Sequence, residues 1–459
     1  MRDLCSGKSF WQLILMLMAL CSYVYSGGVE LEFDQLGGRQ GLSHDTVNCI
    51  VQDNTGFIWI GTLGGLNRFD GYGFKIYRPE EGNPTSLSNP AVQTLYLDSR
   101  GILWVGTADG LNEYDRQTDC FLRYQPIAND PGSLSGRIIT AIFEDRSGVL
   151  WVGTDGGGLN RFDRERGQFV HYVHRPNDPA SLSNNNVKTI YEDQKGVLWI
   201  GTQLGLNRFF PAGGTFSHYL NIPDDPGSLV NSSVIVLCGD QNDGLWIGTG
   251  RGLDHFDPEK GQFRHYVAKP GDPYSLSNDY IGALALDQSG SLWVGTADGL
   301  DYWDAEQDRF TGYRNDVCVP NSLSHNTIRA IYQDRQGILW IGTWGGGLNI
   351  ADKNKKKFKY LRPIPHETKQ SLSNFVFNLC EHPTGILWIT TWEGGLIKFD
   401  RRAGVSTQYR RIPGVANSLS SNFITAIALG KDGNLWLGSI LGSLDSFQPL
   451  FQATSSNVV

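Results

Sequence analysis

Few residues of this chain stand at spacings that do chemistry. Beyond residue 28 there are five cysteines, Cys49, Cys120, Cys238, Cys318 and Cys380, while Cys5 and Cys21 lie before it. Thiols make metal sites at CxxC-like spacing and bridges when they pair off. These five are odd in number and none is so spaced. Cys49, Cys238 and Cys380 fall inside apolar runs, the setting of a buried, inert thiol. The histidines are scattered without ligand spacing, and no G-x-S-x-G elbow occurs. Glycoside hydrolysis needs two carboxylates facing one bond. Acids abound, but most occupy slots that recur along the chain, so no pair stands out. Asp240-Gln-Asn-Asp-Gly244 has a calcium-loop look and lacks the distal glutamate. No catalytic residue, metal site or cofactor is expected.

The recurring slots lead to the elements that carry them. Trp stands at 59, 104, 151, 199, 246, 293, 340, 388 and 436, in steps of 45 to 48 residues. Around each lies one phrase, as in Asp53-Asn-Thr-Gly-Phe-Ile-Trp-Ile-Gly-Thr62. A unit reads as four strands: Val47 to Gln52, a D-x-x-G turn at Asp53 to Gly56, Phe57 to Thr62, a Gly64-Gly65 turn, Leu66 to Phe69, then Phe74 to Tyr77. Asp opening and Gly closing a tight turn is ordinary hairpin chemistry. The strands are apolar on both faces, as sheets sandwiched between neighbours must be.

Four strands in about 47 residues, repeated, describe a propeller blade. The fold class is therefore all-β, a β-propeller of nine four-stranded blades. Nine exceed the usual ring of four to eight. The reading is one seven-bladed ring over 27–365, closed by an orphan strand at Val29 to Phe33, with 366–459 starting a second, incomplete propeller. Ring closure removes an exposed sheet edge.

Loops on a rigid scaffold are where binding resides. The long linkers and the turns between second and third strands share one face. One residue beyond the apolar start of each first strand stand Asn48, Gln93, Thr140, Lys188, Ile235, Gly282 and Arg329, a slot free of any packing rule. Four residues before that slot come His44, Asn89, Gly136, Asn184, Asn231, Asn278 and His325, with Arg137 beside Gly136. Lys188, Arg329 and Arg137, with His44 and His325, are candidates for a cationic channel mouth that takes an acidic sugar or small anion. The alternative is a solvated loop face whose Asn and His side chains satisfy turn backbones. Trp344 and Trp392 sit in second-to-third-strand turns, where an aromatic can stack on a sugar ring or a protein partner; packing against a neighbouring loop is the other reading.

The first residues differ. Arg2 and Lys8 precede an apolar run from Phe10 to Tyr25, and Ser26 precedes Gly27. This is a signal-peptide pattern over 1–26, which predicts export to the periplasm or beyond. A retained anchor is the alternative, although the run is short of the ~20 residues a spanning helix needs. The formal charge of −8, spread along the chain, argues against a nucleic-acid partner.

The D-x-x-G-x-L-W-x-G-T-x-x-G-L-x-x-F-D phrase, joined by linkers such as Asn177-Asp-Pro-Ala-Ser-Leu-Ser183, resembles the two-component regulator propeller repeat over residues 29–447. The resemblance implies the periplasmic sensor region of hybrid histidine kinases and some diguanylate cyclases, many tied to polysaccharide use. In such receptors two seven-bladed propellers precede a β-sandwich, a membrane helix and signalling domains. None of these later parts is found here. The resemblance thus implies a truncated sensing module for a carbohydrate or other small ligand, with a downstream membrane kinase or cyclase as partner in a homodimer. A free propeller lyase or glycoside hydrolase, or an adhesion scaffold, is the alternative.

Overall fold

The computed structural model describes residues 31–319, 321–352, 375–382, 385–401, 405–415 and 417–448. The signal peptide expected over 1–26 and the boundary at 365–366 lie outside them. Apart from one 3-10 turn, Gly38–Gln40, the regular elements described are β-strands. They form eight four-stranded antiparallel sheets and one of three strands. Blade one comprises Val47–Gln52, Ile58–Thr62, Gly65–Phe69 and Phe74–Tyr77, each within a residue of the strands read from the sequence. The chain divides into two compact units, 1–355 and 356–459.

Seven sheets build the first unit. Each first strand packs against the first strands of both neighbouring blades, and that of blade one, Val47–Gln52, meets that of blade seven, Ile328–Gln333. The ring is therefore closed, with the first strands innermost. Blade seven takes its fourth strand from the N-terminal side: Asp34–Leu36 pairs with Leu348–Ala351, Leu36 opposite Leu348.

The closing strand ends three residues later than the sequence reading of Val29 to Phe33. Phe33, the expected strand end, sits just ahead of it, and its N–H meets Asn321 O at 2.9 Å. Phe169, Phe216 and Phe310 make the same bond to their own linkers at 2.8 to 2.9 Å. Phe33 thus fills the slot of the fourth-strand phenylalanine, not of the tyrosine that follows it, and packs with Trp293, Leu323 and Ala351.

Adjacent blades lock through the repeated phrase. Each second strand is buried along its whole length in blades one to seven. A Cβ on Gly61 would come within 2.6 Å of Val92 on the next blade, so the Gly of Gly-Thr sets the blade spacing. Trp59 meets Tyr114 of blade two edge-on at 4.9 Å, and Trp340 meets Phe69 of blade one at 5.9 Å. Edge-to-face pairs of this kind add about 0.5–1.5 kcal/mol each to the area they bury.

The second unit holds two sheets. One comprises Val376–Glu381, Ile386–Thr391, Gly395–Asp400 and Val405–Tyr409. The other comprises Ile424–Leu429, Leu435–Ser439 and Leu444–Phe447. Val376 is 46% exposed, whereas its counterparts Val47, Val92 and Val187 are fully buried.

Candidate functional site

The two sets of loops share one face through backbone hydrogen bonds. Gly345 N and Gly347 N, in the second-to-third-strand turn of blade seven, donate to Asp45 O of the linker entering blade one. Gly110 N to Arg137 O and Gly205 N to Ser232 O repeat the link at other blades.

The variable slot is a β-bulge. In every first strand the ladder register shifts there, as between Val47 and Cys49 or Ile328 and Ala330. A bulge leaves one residue without a ladder partner and re-aims its side chain. Asn48 Nδ2 donates to Val92 O at 2.8 Å and Thr140 Oγ1 to Val187 O at 2.5 Å, each on the next blade's first strand. The slot therefore lines the seam between innermost strands.

Each candidate cation has its own neighbour. Arg137, largely exposed, pairs with Asp109 at 2.7 Å. Lys188 lies 3.8 Å from Asp155. Arg329 instead stacks on Trp344, its guanidinium carbon 4.8 Å from the ring centroid, and Trp344 is 48% exposed. His44 Nδ1 accepts from Thr46 N at 2.9 Å and His325 Nδ1 from Thr327 N at 3.0 Å. Asn89 and Asn184 do the same for Ala91 and Asn186, so the two histidines share the turn-capping geometry of the asparagines. Trp392, in the second unit, packs on Phe377 and Phe423, each at 5.4 Å.

Of the buried thiols, Cys49 is pushed well above the usual range by burial and Cys238 up to about 11. Shifts in this direction favour the protonated thiol over the nucleophilic thiolate. No group of three or more metal-binding side chains is found among the described residues.

Two features escaped the sequence reading. The repeat aspartate does more than form a turn: its second oxygen takes the indole N–H of the repeat tryptophan, as in Asp98–Trp104 and Asp334–Trp340, both at 2.9 Å. Also, a buried asparagine on the third strand of blades one to four and seven, such as Asn67, Asn112 or Asn207, holds the linker through Ser43 N, Ser88 N or Ser183 N. In blades five and six that slot carries Asp254 and Asp301. The change from Asn to Asp is visible in the aligned units.

Fold and face define a closed seven-bladed propeller with an open loop surface. The family model described as two component regulator propeller matches residues 41–64, 86–109, 133–156, 181–203, 275–298, 322–345 and 418–440. Seven of the nine repeat units thus carry the two-component regulator propeller repeat. It is similar to the extracellular domain of a hybrid two-component system from B. thetaiotaomicron: 28% identity, 92% of this chain, 55% of that chain, TM-score 0.65. A second such domain from the same organism is 26% identical over 91% of this chain and 52% of that one, TM-score 0.58. The chain thus spans about half the length of these domains. A 46-residue stretch is 52% identical to histidine kinase P4 of Formosa agariphila, 10% of this chain and 3% of that protein. Virginiamycin B lyase from Staphylococcus aureus, 14% identical over 70% of this chain and 99% of its own, TM-score 0.52, shares the fold alone. Among the described residues no helix is long and apolar enough to cross a membrane.

Proposed function

We propose that this chain is the exported ligand-sensing portion of a two-component receptor. It would detect a carbohydrate or other small extracellular ligand in the periplasm and pass the signal to a kinase or cyclase module in a homodimer, with no turnover of its own. The carrying observation is the repeat match together with 28% identity, over 92% of the chain, to an extracellular domain of a hybrid two-component system.

The ligand contact we favour is Arg329 with Trp344. Arg137 and Lys188 have carboxylate neighbours, whereas Arg329 lies on a half-exposed indole. A guanidinium beside an open aromatic face suits an acidic ring compound, through charge-assisted bonds and stacking. The 366–459 segment is, in this reading, the first blades of a second propeller. The exposure of Phe375, Val376, Phe377 and Leu379 supports it, because a further blade would cover that face.

Calorimetric titration of the chain with neutral and acidic oligosaccharides tests the site. Arg329→Ala and Trp344→Ala should each weaken binding at least about tenfold, or ~1.4 kcal/mol, with the thermal midpoint unchanged. Full affinity in both variants would remove this site from consideration.

A further inference from the structure

Blade five breaks the linker-holding pattern in a concerted way. Where blades one to four begin the held segment with Ser43, Ser88, Ser135 and Ser183, blade five has Val230, and its third-strand partner is Asp254 rather than Asn. Asp254 is fully buried. One of its oxygens, Oδ2, accepts Val230 N–H at 2.9 Å. The other lies 2.6 Å from His265 Nδ1 on the fourth strand, Gln262–Tyr266. His265 Nε2 lies 2.8 Å from Pro226 O, in the same linker.

Proton counting follows from these acceptors. A carbonyl oxygen only accepts, so His265 Nε2 carries a hydrogen. Nδ1 then faces a carboxylate oxygen at hydrogen-bond distance, and one proton must lie between them. Its loss sets two lone pairs against each other in a site without water access on the Asp254 side, where an unpaired charge is costly. We propose that Asp254 and His265 form a protonation latch, which holds the linker Asn221–Ser233 on blade five and loosens it when the shared proton leaves to solvent.

Among the described residues the surroundings supply no other compensating charge. The second strand, Leu245–Thr249, has no ionisable side chain. On the third strand His255 is held by Asp240 and Asp257 by Lys260, both at 2.7 Å. On the fourth strand Arg264 pairs with Asp308, which also accepts Tyr266 Oη–H at 3.0 Å. In the linkers Asp225 caps Gly227 N and Asp279 caps Ala268 N, while Asp224 turns the chain at φ 67°. Burial lifts the pKa of Asp254, against the bond from His265. Burial lowers that of His265, but the bonds to Asp254 and Pro226 outweigh it and the net direction is up. Both groups hold protons more tightly folded than unfolded. The latch is therefore made below the ordinary histidine value of ~6.5 and lost as pH rises through the raised one.

Blades three and four keep the asparagine beside the same histidine. His171 and His218 occupy the same fourth-strand slot and meet Ser133 O and Ser181 O at 2.7 Å, opposite Asn160 and Asn207. In a histidine- and valine-labelled chain followed by NMR, the His265 ring should titrate above the ordinary histidine value, and the Val230 amide should move with it. Asp254→Asn should lower the His265 midpoint and leave the Val230 amide insensitive to pH. His265→Gln follows the precedent of Gln35, which holds Ser322 O at 2.9 Å in blade seven, and should keep the linker in place at every pH. A His265 midpoint that Asp254→Asn leaves unmoved, or a Val230 amide that ignores the His265 titration, overturns the latch.

Discussion

Asp53 takes the indole N–H of Trp59 on one carboxylate oxygen at 2.9 Å and the turn N–H groups of Thr55 and Phe57 on the other. One side chain thus shapes the turn that starts each second strand and satisfies the polar atom of the largest residue in the blade core. This double role explains why the D-x-x-G turn and the Trp travel together through the sequence.

It also sets a stability prediction. Asp193→Ala would leave the Trp199 N–H, buried at 1% exposure, without an acceptor and the N–H groups of Lys195 and Val197 uncapped. Stranding a buried donor costs about 1–3 kcal/mol, so a fall of about 2–4 kcal/mol is expected with the turn included. Urea unfolding of the variant measures it, and Asp193→Asn should lose less.

Blade eight tests the same bond in reverse. His382 stands where the aspartate does in blades one to seven, and Trp388 Nε1 is buried without a hydrogen-bond partner. His382→Asp should supply the acceptor and stabilise the second unit by about 1 kcal/mol. Hydrogen exchange of the Ile386–Thr391 amides reports on that unit separately and should slow.

Closure depends on one aromatic. Phe33→Ala empties the slot against Trp293 and Leu323, at a cost of about 3–5 kcal/mol for a buried phenylalanine. Amide exchange should accelerate most in Leu348–Ala351, the strand that Asp34–Leu36 covers. Uniform acceleration round the ring would mean that closure is not the weak point.

Asp301 gives a pH dependence. Burial pushes its pKa up to about 6, against the bonds from Ser277. The folded state holds the proton to higher pH than the unfolded state, which releases it near 4. The contribution of Asp301 to stability is thus fullest below pH ~4, falls between ~4 and ~6 and is level above, by up to about 3 kcal/mol for two pH units. Asp301→Asn restores the residue of blades one to four. It should raise the thermal midpoint at pH 7, with the gain vanishing near pH 4.

Much of this is legible in the residues. The Trp period, the apolar second strands and the Asp and Gly turn signals specify four strands to within a residue, because each is a local rule repeated in all seven blades of the ring. The N-terminal strand reads three residues early because its pairing partner lies more than 300 residues away, so only Phe33 could mark the register. The face that carries Arg329 and Trp344 follows from loop placement. Their stacking does not, because it depends on how a bulge aims a side chain. Asp254 and Asp301 stand in the aligned column throughout, yet burial, which turns an Asn-to-Asp change into a proton site, is a property of the folded ring.

The most direct test of the central claim is equilibrium titration of the purified chain with a panel of acidic and neutral oligosaccharides, each mixture then resolved by chromatography. The account predicts saturable binding of at least one compound, recovered unchanged. Appearance of cleavage or elimination products would contradict a sensing role and make the propeller an enzyme.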